Sequence, residues 1–165
     1  MLSLLTTLGL RAAPGGQVPN HAASLLLANW FIAYVWMSTR FKKISLGIDN
    51  NVAPREDLAI LGEAAVKSGK LSRSILNRLK REEAAHANAI EHFPVFVAAT
   101  LIAVYAGVPN QTVNTFGVWY TVSRIAFSIC YSYIETPALS YLRSAAWWSS
   151  NISCVTGLIA AAKKL

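Results

Sequence analysis

Polar and ionisable side chains recur at helical spacing inside apolar stretches of this chain. Arg81, Asn88, Glu91 and Val95 step by seven, three and four residues, so on a helix they share one face, with Ala84 among them. Tyr120, Arg124, Phe127 and Tyr131 step by four, three and four and do the same on a later helix. Arg143 stands beside Ser144 at the mouth of the last apolar run, and Arg40 closes the first. Ionisable residues at membrane depth are costly and mark function or a paired structural contact. If these faces converge, they form a polar pocket near one end of a helical bundle, suited to a small zwitterionic ligand. Arginines would meet carboxylates through forked hydrogen bonds, Glu91 would meet an ammonium, and Asn88 could give and take at a peptide group. An apolar groove between the helices would take a lipophilic second substrate. A plainer arrangement uses the same residues, with Glu91 and Arg124 paired inside the bundle only to hold helices together. His86 and His92 do not share a helix face, and no cysteine or carboxylate completes a ligand set. They read as interfacial residues, and no metal site is expected. Trp147 and Trp148 read as part of an interfacial aromatic belt.

Such faces need helices in an apolar medium, and the composition points to one. The chain is 54% hydrophobic and 14% charged, where soluble domains carry about 25% charged residues. Residues 40–92 hold ten of the fifteen Lys/Arg and seven of the eight Asp/Glu. That distribution predicts membrane spans joined by one large polar loop. Spans are expected at 21–39, 74–109 with a cytosolic extension, 112–134 and 144–162, their apolar runs near the ~20 residues needed to cross the hydrocarbon core. Residues 1–20 form a flexible lead with no cleaved signal, 21–162 a single membrane domain, and 163–165 a tail. Within the large loop, a helix, a turn at "KSGK" and a long helix starting near Ser72 are expected. Pro94 marks a kink, or the boundary between the amphipathic and buried parts of that helix. Cys130 and Cys154 lie in apolar runs and read as buried thiols.

The basic 40–92 loop and the uncharged "NQTVNT" turn at 110–115 orient the chain, placing the loop in the cytosol and the turn on the other side. The "NQT" sequon at 110–112 then faces the lumen, too close to the membrane to be used. The net charge of +7 comes with no basic stripe or nucleic-acid signature, so no nucleic-acid partner is expected.

The run "REEAAHANAIEHFPVF" (81–96) resembles the signature of the MAPEG family, the membrane-associated proteins in eicosanoid and glutathione metabolism. That signature has Arg, two spacers, Arg-Ala-His/Gln, a spacer, Asn, two spacers and Glu, with Pro and Phe shortly after. "RIAFSICYSYIETPALSYLRS" (124–144) is similar to a later block, with an arginine, a tyrosine seven residues on, and Arg-Ser opening the last helix. The resemblance spans about 20–162. It departs from the pattern at Ala84, where the family keeps an arginine, with Arg81 one turn earlier. The step from Tyr131 to Arg143 is longer than in mammalian synthases, and Phe127 stands where some members have tyrosine or histidine.

The resemblance implies an all-α, integral-membrane four-helix bundle, assembled as a homotrimer in the endoplasmic reticulum or an equivalent membrane. Glutathione would sit between subunits near the cytosolic side. By position, Arg81, Asn88, Glu91, Arg124, Tyr131 and Arg40 match its contacts, and Arg143, with Tyr131, matches the group that activates its thiol. The implied function is a transferase or isomerase that attacks a lipophilic electrophile drawn from the bilayer. A non-catalytic, lipid-binding scaffold of the same fold is the alternative. A small transporter or channel subunit ranks below both, because the charges cluster towards one end instead of lining a continuous path.

Overall fold

The computed structural model describes residues 3–165, and within them every regular element is helical. A short helix, α1 (Leu4–Thr7), precedes an extended segment that leads to α2 (Ala22–Phe31). Helix α2 passes directly into a π-helical stretch, Ile32–Trp36. Helix α3 (Arg40–Leu46) ends at Gly47, and a second π-helical stretch, Leu58–Gly62, runs into α4 (Glu63–Lys67). Three long helices follow: α5 (Arg73–Tyr105), α6 (Asn110–Tyr133) and α7 (Pro137–Ala162). Helix α7 begins seven residues before the expected span, because Pro137 supplies a helix-ready first residue and "ALSYLR" carries no breaker.

At 1.5 Å per residue α5 is about 50 Å long, well over the ~30 Å of a hydrocarbon core. Its N-terminus is capped by the Ser72 hydroxyl, which accepts from the Ile75 amide at 3.3 Å, as the sequence predicts. The helix runs through Pro94 without ending. The stretches Ala22–Leu46 and Arg73–Tyr105 are long and apolar enough to cross a membrane. Helices α6 and α7 are of spanning length, but polar residues dilute their apolar character.

Those polar residues point inward. Asn114, Ser123, Arg124, Ser128 and Ser132 of α6 and Ser150 and Ser153 of α7 are buried, while Val122, Ile129, Ile152, Val155 and Ile159 are half or more exposed. Inside, small residues let helices approach closely, as helices without a hydrophobic driving force between them require. Gly157 of α7 lies against the Phe116 ring of α6, where an added Cβ would stand 2.9 Å from ring carbons. Phe96 of α5 stacks on Tyr120 of α6 with centroids 4.1 Å apart. His92, expected at an interface, is instead buried there, its Nδ1 3.2 Å from the Tyr120 hydroxyl. Cys154 is buried as expected and Cys130 is partly so.

The N-terminal lead, expected to be flexible, is docked on the start of α6. Asn114 donates to the Gly9 and Pro19 carbonyls and accepts from the His21 amide, and Asn110 donates to the Val18 carbonyl. Gly9 has a left-handed φ of 64°, and an added Cβ would collide with the Asn114 side chain.

The polar loop builds a core of its own from Ile48, Leu58, Ala65, Leu71, Leu76 and Leu79. Lys43 fastens it: its Nζ meets Asp57 at 3.0 Å, the Pro54 carbonyl at 2.6 Å and Glu83 of α5 at 3.2 Å, with both Lys43 and Asp57 buried. On the outside, Lys80 and Arg73 of α5 hold Glu63 of α4 and keep its carboxyl below the usual carboxylate range, Lys80 having the larger effect. Removing one partner of a buried ion pair strands the other. Asp57→Ala is therefore expected to destabilise the fold by about 3 kcal/mol and to open 47–57 to protease. Thermal unfolding and limited proteolysis in detergent check both effects, and wild-type resistance to cleavage would refute the role of the clasp.

Candidate functional site

One turn of α5, the last third of α6 and the first half of α7 supply most of the residues that the sequence singles out. At their junction is a cleft of about 290 Å³ lined by Asn88, Phe127, Tyr131, Arg143, Ser144, Trp147 and Trp148. Helical periodicity explains the wall from α7, since Arg143, Ser144, Trp147 and Trp148 fall at i, i+1, i+4 and i+5. The Arg143 guanidinium lies over the Tyr131 ring, 4.4 Å from its centroid. Tyr131 in turn packs edge-on against Phe127 at 5.5 Å. Trp147 and Trp148, read as an interface belt, form the aromatic side of this cleft and contact each other edge to face. Their spacing from Arg143 is the signal that reveals them.

Arg124 stands behind the cleft. It is 3% exposed, its Nη2 donates to Asn88 Oδ1 at 2.9 Å, and its guanidinium lies 4.5 Å from the centre of the Phe127 ring. Its Nη1 has no hydrogen-bond partner among the described residues. The pairing of Glu91 with Arg124 does not form: Asn88 takes the arginine, and Glu91 is exposed.

Glu91 lines a second, larger cavity of about 730 Å³, with Arg40, Lys43, Pro54, Arg55, Lys80 and Glu83 among its other walls. Ala84 and Ala87 give it a small-residue floor on α5. Arg40 is held there by Asp49 at 2.8 Å and Asn51 at 2.9 Å. His86 also borders this cavity, and its Nδ1 lies 2.9 Å from the Ala33 carbonyl in the π-helical stretch that follows α2. Arg81 goes to neither cavity. It binds the Glu135 carboxylate and the Ser132 carbonyl, tying α5 to the α6–α7 connection.

The sequence-predicted residues thus separate, with Arg81 at the α6–α7 connection and the others in two groups. Asn88, Tyr131 and Arg143 meet in the small cleft with Arg124 behind them, while Arg40 and Glu91 meet in the large cavity. Sequence reasoning did not place Lys43, Arg55 or the tryptophan pair in a site. Only the tryptophans had a readable signal, because the other two depend on how the loop folds back. The donor set suits a ligand rich in carboxylates and amides.

Asn88 is the one hydrogen-bond acceptor for Arg124 among the described residues. Asn88→Ala is expected to cost about 2 kcal/mol, the scale of a lost hydrogen bond to a charged group, whereas Asn88→Asp keeps an acceptor and retains more stability. Thermal unfolding of the two variants in detergent checks the order, and an unchanged midpoint for Asn88→Ala would count against it.

No curated protein and no solved structure matches the chain. The sequence model of the MAPEG family matches residues 20–163, nearly the full length. That family is membrane-associated and includes glutathione transferases and lipid-binding scaffolds. With the family profile covering all the long helices, the chain belongs to the MAPEG family.

Proposed function

We propose that this protein is an integral-membrane, glutathione-dependent transferase or isomerase acting on a lipophilic electrophile. The observation that carries the reading is the small cleft, where the Arg143 guanidinium stacks on Tyr131 beside Ser144 and an aromatic wall, backed by the buried Arg124–Asn88 pair. All four long helical stretches cross the bilayer in this reading. The apolar outward faces and polar inward faces of α6 and α7 support that, since such helices suit lipid better than water. The basic 40–92 loop lies in the cytosol and the membrane is that of the endoplasmic reticulum or an equivalent.

The division of the site residues between two faces of one protomer supports a site shared by neighbours in a homotrimer. Each protomer offers Arg40 and Glu91 from one face and Tyr131 and Arg143 from another. When bound, glutathione supplies a thiol whose thiolate is the nucleophile, and free thiols titrate near ~8.5. Arg143 places a fixed positive charge beside the sulfur and favours the ionised form. Tyr131 holds that guanidinium in place through its ring face. Asn88 orients the peptide, and Arg124, buried behind it, holds Asn88 and lends charge. Phe127, Trp147 and Trp148 keep the reacting end apolar, where a bilayer-soluble electrophile can enter from lipid.

The broad aromatic wall and the alanine at position 84 also favour a second reading, a lipid-binding scaffold without turnover. Binding and turnover assays on detergent-purified protein separate the two. The enzyme should bind glutathione, be stabilised thermally by it, and conjugate a generic electrophile. Arg143→Ala should lower kcat about 100-fold, the scale of one lost charge-stabilising donor, with a smaller change in KM for glutathione. Its pH–rate profile should move alkaline, towards the free-thiol value, and Tyr131→Phe should remain close to wild type because the ring face is retained. Absence of both binding and turnover would leave the scaffold reading.

A further inference from the structure

Charges in the large cavity are mostly spoken for. Arg40 is held by Asp49 and Asn51, Lys43 by Asp57, Glu83 and the Pro54 carbonyl, and Lys80 by Glu63. Among the described residues lining it, two charged groups have no partner: the Arg55 guanidinium on the loop and the Glu91 carboxylate on α5. One free cation and one free anion facing the same space complement a ligand end that carries both an ammonium and a carboxylate.

Arg55 is exposed, yet its backbone is tightly placed. The Glu56 amide donates to the Ala53 carbonyl at 3.0 Å, closing a turn with Pro54 and Arg55 at its two central positions. Proline presets the first central position of such a turn. The buried Lys43 ammonium then grips the Pro54 carbonyl at 2.6 Å, and Asp57, two residues beyond Arg55, is the same lysine's ion-pair partner. The residue before Arg55 and the residue two after it are therefore fixed to a buried charge, and the guanidinium pays mainly its own side-chain entropy on binding. Across the cavity, Ala84 and Ala87 leave the α5 wall low, and no guanidinium can reach out from position 84.

We propose that Arg55 is the contact for the α-carboxylate at the glutamyl end of glutathione, delivered from the clasped loop, while Glu91 takes the α-ammonium. This rests on the glutathione reading above. It assigns the end of the ligand that the large cavity receives and makes the first loop part of the binding site. An arginine is suited to the task because its planar fork meets a carboxylate with two parallel hydrogen bonds.

Isothermal titration of the full-length, detergent-purified protein tests this with two ligands: glutathione, and an analogue lacking only the glutamyl α-carboxylate. Arg55→Ala should weaken glutathione about 10- to 100-fold, the scale of a charged hydrogen bond, and leave the affinity for the analogue unchanged. Its thermal midpoint without ligand should stay at the wild-type value, since Arg55 has no partner among the described residues. Glutathione binding within twofold of wild type overturns the assignment. So does an equal loss for both ligands, which would mark a general effect on the loop. Wild-type protein that binds neither ligand removes the glutathione reading itself, a result distinct from selective failure of Arg55.

Discussion

A guanidinium buried among apolar helices dictates much of this arrangement. Desolvating Arg124 is costly unless its charge is met, and the fold meets it sparingly, with one amide oxygen from Asn88 and the face of Phe127. Asn88 must then face α6, which sets the rotation of α5 about its axis. Once α5 is set, Ala85 and Ala89 turn into the bundle, His92 comes against Tyr120, and Glu91 is left on the open side. The helix that carries most of the family signature is thus indexed by a residue on its neighbour. The site residues on both sides of α5 follow from that indexing.

Helix α5 also lives in two environments. Its first turns pack Leu76 and Leu79 into the small loop core and use Glu82 and Glu83 to hold lysines, while its later turns bury Phe96, Ala99 and Ala103 among α6 and α7. The clasp at Lys43 and the buried arginine lie in different environments, and the candidate site falls between them. The loop is therefore folded structure with a core and a buried ion pair of its own.

The sequence made the long helices legible because apolar runs of spanning length and the Ser72 cap each have a local cause, although the start of α7 at Pro137 lies outside the apolar run that marked its span. The face of α6 bearing Tyr120, Arg124, Phe127 and Tyr131 was legible too, since helical periodicity alone sets it. What was hidden is which neighbour each face meets. Arg81, Asn88 and Glu91 lie within one broad face of α5, yet they go to Glu135, to Arg124 and to the large cavity respectively. Spacing along one helix gives relative angles and nothing about partners. The same limit explains His92, whose burial depends on Tyr120 twenty-eight residues away, and Arg55, which is brought to its cavity by a lysine twelve residues upstream.

The docked lead has a consequence for the order of events during synthesis. Oligosaccharide transfer to a sequon consumes an N–H of the asparagine amide. At Asn110 that amide donates to the Val18 carbonyl, and its oxygen accepts from Asn20. In the orientation proposed here, membrane proximity and the docked lead both shield the acceptor, and the lead adds its share only once it has closed over α6. A sugar at Asn110 would then be a scar of slow folding, recorded on those molecules in which the first twenty residues arrived late.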